Sequence, residues 1–292
     1  RENKLSGKMF NYWTEGGFIA WGQDPDPNTG KTPLQLFMDG RAQAAYMRAA
    51  FDLWSDIMGG GPITGQLLAN AGARGRELSA DEYKQIGQWI DKQLKAHNAW
   101  VVLMPRDEFE RPFVRGLENN PDWRLVFLND KQRLFVDITT PRGRDLFEGI
   151  ATGKTIYPDE FSRDLILAHN LLLYGREKTQ LQQGLDFAVK AFQLNPSQTP
   201  VQEIMYAAQF FPELRAAIRN FCEDYLEGFA KNKEEWAKKD GYHNKIVAAL
   251  HAANYLRQMA RSQNDTQRSQ SYNAIIRQYN EEQINVVKTK RW

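Results

Sequence analysis

Two pentapeptides in this chain end as phosphate-binding loops end: NTGKT, Asn28 to Thr32, and ATGKT, Ala151 to Thr155. Such a loop wraps phosphate with successive backbone N–H groups, which requires a further glycine five positions before its second glycine. Pro25 and Glu148 hold those positions. The first pentapeptide runs into Pro33 and an apolar stretch, the second towards Tyr157-Pro158, so neither opens a helix and both read as turns. The histidines, His97, His169, His243 and His251, are scattered. Only His243 and His251 share a helix face, and a spacing of eight is too wide for a chelate without a third ligand. No Gly-x-Ser-x-Gly elbow is present. Cys222, the sole cysteine, sits in an apolar helical context with Ile218, Phe221 and Tyr225 and reads as a small core residue. These residues predict no metal, no cofactor and no nucleophile.

A more promising set lies near the start. MFNYWTEGGFIAW, Met9 to Trp21, gathers five aromatics around Gly16-Gly17, and PLQLFMDGR follows at Pro33 to Arg41. Parallel sheets bind ligands beyond the carboxyl ends of their strands. Asn11 and Tyr12 fall near the end of the first expected strand, Asp39 and Arg41 just after the second. Gly16 and Gly17 would begin a helix with free N–H groups directed to that edge, and Glu15 suits the positive helix end. The ligand would be a glycan, a peptide or another small molecule. The competing interpretation is purely structural. The glycines would let the helix approach the sheet, Phe10, Phe18 and Trp21 would fill core, and Asp39 with Arg41 would brace a turn.

The elements that must hold these residues follow from periodicity. Met9 to Trp13 and Leu34 to Met38 read as strands, and Glu15 to Trp21 as a helix with the glycines at its start. Ala45, Ala49, Leu53 and Ile57 recur every four residues within a helix over Ala42 to Ile57. Ser79 and Glu82 form a capping-box signal for a helix ending near Ala96. AWVVLMP, Ala99 to Pro105, is a continuous apolar run typical of a strand covered on both faces. Phe109 to Leu117 reads as a short helix, and WRLVFLNDKQRLFVDI as a hairpin turning around Asn129 to Gln132. From Glu160 almost everything is helix-forming. Gly184, Ala188, Ala191 and Pro196 resemble the second helix of a tetratricopeptide unit. Later helices are expected near Gln202 to Phe210, Glu213 to Phe229, Tyr242 to Arg261 and Ser269 to Val287.

The expected fold class is therefore α/β plus all-α. A Rossmann-like three-layer α/β sandwich, with a mostly parallel sheet and an edge hairpin, occupies residues 1–147. A linker covers 148–160, and a helical hairpin array, tetratricopeptide-like, covers 161–292.

The 292 residues carry a formal net charge of +2 from 38 basic and 36 acidic side chains, which gives no reason to expect a nucleic-acid partner. No apolar run reaches the roughly 18 residues of a membrane span, and no signal peptide is visible. A start at Arg1 reads as a processed or excised piece.

The order MFNYWTEGGFIAW, spacer, LQLFMDGRAQAAY resembles the segment that follows the membrane helices in bacterial GT-C-type glycosyltransferase-like proteins. There a VFN-x-x-x-GGYLIW strand and helix start precedes a strand ending FIDGR. NPDWRLVFLNDKQRLFVDI is similar to that group's later hairpin, with Trp123, Asp130 and Phe135 in matching places. The resemblance covers roughly residues 7 to 140. More distantly, YWTEGGFI resembles a WWDYGYWI segment that helps oligosaccharyltransferases bind acceptor peptide. Here the order Trp13-Thr14-Glu15-Gly16-Gly17 replaces it, so that role does not transfer.

In the GT-C group the catalytic acid and the lipid-phosphate donor site belong to the membrane portion. The resemblance thus implies a non-catalytic extracytoplasmic or periplasmic domain, tethered to the membrane-embedded portion of its parent and supporting acceptor binding or assembly. The helical half would dock a protein partner, cap the α/β layer or mediate self-association. The alternative is an independent cytosolic α/β enzyme or ligand-binding protein with a fused helical interaction domain.

Overall fold

The computed structural model describes residues 2–40, 47–108 and 111–289. The chain divides into two compact units, residues 1–158 and 159–292.

The first unit is built on one five-stranded mixed sheet. Its strands are β1 (Gly7–Asn11), β2 (Leu34–Leu36), β3 (Ala99–Pro105), β4 (Trp123–Leu128) and β5 (Gln132–Asp137), in the order β2-β1-β3-β5-β4. β1 pairs in parallel with β2 and β3, whereas β5 runs antiparallel to both β3 and β4. The β4–β5 hairpin thus forms one edge. Its reversal is set by Asn129, whose Oδ1 accepts from the N–H groups of Lys131 and Gln132 at 2.9 and 2.8 Å.

β3 is central, and Trp100 to Met104 are all buried, so side chains of both parities are covered. Phe10 of β1 is fully buried, with ring centroids 5.0 Å from Phe37 and 5.2 Å from Phe113. Around the sheet lie α1 (Trp13–Trp21), α2 (Arg48–Met58), α3 (Gly61–Ala73), α4 (Ala80–Ala96), α5 (Pro112–Glu118) and α6 (Pro141–Ala151). The capping box of α4 is complete: Glu82 N–H donates to Ser79 Oγ, and Ser79 N–H donates back to Glu82. Arg76 grips both carboxylate oxygens of Glu82 at 2.6 and 2.8 Å. That hydrogen bond, followed by the one from the Ser79 backbone, holds the Glu82 carboxyl down at about 2.

Several boundaries differ from expectation. β1 starts and ends two residues early, and α1 therefore begins at Trp13 rather than Glu15. Helix α3 had no sequence signal of its own. α6 was also unforeseen, although Thr140-Pro141 is a cap followed by proline at the first helical position, and Thr140 Oγ1 does accept from Gly143 N–H. Residues 148–151 of the segment read as a linker belong to α6. The start of the helix expected from Ala42 and Phe109 of the short helix fall outside the described residues; what is described begins at Arg48 and Pro112.

The second unit consists, among its described residues, of helices: α7 (Glu160–Tyr174), α8 (Lys178–Leu194), α9 (Gln198–Phe210), α10 (Arg215–Trp236), α11 (Tyr242–Ser262) and α12 (Thr266–Thr289), with a single 3-10 turn at Pro212–Leu214. Sequence-adjacent helices pack as hairpins, most extensively α7 on α8 and α11 on α12. Two aromatic clusters anchor the core. Phe192 of α8 meets Phe221 and Tyr225 of α10 edge-on at 5.1 and 4.7 Å. Phe229 stacks on Tyr242 and meets Tyr279, joining α10, α11 and α12. Buried Asp164 of α7 is paired with Lys190 of α8 at 3.3 Å and with Arg163.

Candidate functional site

The carboxyl ends of β1 and β2, the start of α1 and the first residue of β5 meet at one edge of the first unit. Asn11 is fully buried there and its side chain is spent on the fold. Its Nδ2 donates to Met38 O at 2.7 Å and to Tyr12 O, and its Oδ1 accepts from Phe37 N–H at 3.1 Å. Asn11 therefore clasps the chain leaving β2 against the end of β1. Its carbonyl accepts from Trp54 Nε1 at 3.0 Å, which ties in α2. A buried amide with both N–H donors and its oxygen bonded to backbone acts as a structural bracket.

Tyr12 is half-buried, its ring edge-on to Trp54 with centroids 5.9 Å apart. Glu15 lies in the first turn of α1, where its charge suits the helix dipole. It accepts from Gln132 Nε2 of β5 at 2.5 Å, a contact across the edge that sequence spacing could not reveal. Asp39 is half-buried and engaged in contacts of its own. Arg41 lies outside the described residues. Thus Asn11, Tyr12, Glu15, Gly16 and Asp39 gather in one place, held by contacts internal to the unit.

The two glycines behave differently. With α1 starting at Trp13, both lie past the first turn, so their N–H groups belong to the helix ladder instead of pointing outward. A Cβ on Gly16 would sit 2.4 Å from Met38 O and 2.6 Å from Asp39 Cα, so helix and strand exit touch backbone to backbone. A Cβ on Gly17 would meet nothing within 4 Å. Of the two, Gly16 alone is a close-approach glycine. Beside Gly17, at helical spacing, Phe18 and Trp21 are 73% and 85% exposed, so the expectation that they fill core fails. Of the three, only Phe10 does so.

The pentapeptides are turns. Asp26 Oδ1 accepts from Asn28 and Thr29 N–H at 2.7 and 3.2 Å, closing the first. The second ends α6, and Thr155 Oγ1 donates to Leu146 O at 2.7 Å. Among the described residues no cluster of His, Cys, Asp and Glu could hold a metal, and no helix is long and apolar enough to cross a membrane. Cys222 is buried, and burial pushes its thiol up to about 12.

Comparison with protein-family models, with curated proteins and with solved structures yields no match.

Proposed function

We propose that this chain is the non-catalytic, extracytoplasmic domain of a GT-C-type glycosyltransferase-like membrane protein, and that the α1 edge docks against the membrane-embedded portion of its parent. The observation that carries the reading is the exposed apolar face of α1. Gly17, Phe18 and Trp21 form a stripe on a nine-residue helix whose only charged side chain, Glu15, is turned inward to Gln132. Aromatic side chains so exposed on a helix mark an interaction surface, and Phe and Trp suit a contact near lipid headgroups. The resemblance over residues 7 to 140 supports a contact between that stripe and membrane spans of a parent protein.

The internal consumption of Asn11 and Gly16 favours assembly over small-ligand chemistry at this edge. The two-sided burial of β3 and the return of β4 to the direction of β3 support a three-layer, Rossmann-like sandwich with a largely co-directional sheet. The successive hairpins of the second unit support a tetratricopeptide-like array.

Fractionation of cells producing the native protein tests the reading. The full protein should resist carbonate extraction from membranes and be cleaved by protease added outside the cytoplasmic membrane. Recovery in the cytosolic fraction, protected from that protease, would overturn it in favour of an independent cytosolic protein.

A further inference from the structure

We draw no further inference here: the strongest candidate, the cleft of about 640 Å³ between α9 and α11 with Met205, Ala208 and Met259 in its lining, carries none, because nothing in the structure shows what covers it.

Discussion

The α1 edge of the first unit and the helical core of the second are opposites in what they leave unmet. At the edge, Asn11 and Glu15 are bonded within the fold, while Phe18 and Trp21 are left in water. In the helical core, apolar side chains are packed together while Tyr255 Oη is enclosed without a hydrogen-bond partner among the described residues. Unmet apolar surface points to docking, whereas an enclosed hydroxyl left unbonded costs stability. Residue type alone misjudges the edge, because Asn, Glu, Gly and Asp at strand ends look more like a binding site than Phe and Trp on a helix.

The sharpest way to break this comparison is to fill Gly16. Gly16→Ala should destabilise the first unit by about 2–3 kcal/mol, because its Cβ meets backbone atoms that cannot swing away. Gly17→Ala should be neutral or stabilise by up to ~1 kcal/mol, since the site is open and helical. Urea unfolding of both variants checks the pair, and equal effects would contradict the division of labour between the glycines. Next in size, Asn11→Ala should cost about 2 kcal/mol by orphaning Phe37 N–H and Met38 O. In contrast, Tyr255→Phe should change stability by less than ~0.5 kcal/mol, or raise it, because it removes a hydroxyl that bonds to nothing described in the protein.

A pH series sharpens the electrostatic side. The folded-state value of Glu82 is depressed, so its contribution is fully present above the unfolded carboxyl's ~4.3 and is lost as the pH falls towards about 2. Glu82→Gln should flatten this part of the stability profile of the first unit, measured by urea midpoint against pH. At the small end, replacing both Phe18 and Trp21 by Ser should shift stability by less than ~0.5 kcal/mol, since neither side chain is packed. A large loss would mean that the stripe belongs to the core after all. The Cys222 thiol, held up at about 12 by burial, should resist iodoacetamide at pH 8 until the second unit unfolds.

What the sequence made legible was whatever has a short-range cause. The run AWVVLMP became β3 because a strand buried on both faces needs no polar alternation. Ser79 with Glu82 became a cap because both bonds close within one turn. The Asn129 turn and the order of the later helices are local in the same way. Illegible parts depend on distance. That Gln132 would take Glu15, 117 residues away, or that Met38 O would press on Gly16, follows from strand order, which periodicity does not encode. α3 was missed because its glycines, Gly61, Gly65 and Gly72, dilute the helical signal that packing on α4 restores. The α9–α11 cleft was likewise invisible, since Met205, Arg215 and Tyr255 look like ordinary members of three helices until those helices are assembled.

If α1 docks as proposed, its Phe18–Trp21 stripe is covered in the intact protein. A photo-crosslinking residue placed at Phe18 in the full-length protein, irradiated in its native membrane, tests this directly, with the exposed position Leu68 as the control. Crosslinks to the membrane-embedded portion are expected from position 18 and none from position 68. Equal, low yields at both positions would contradict docking through α1.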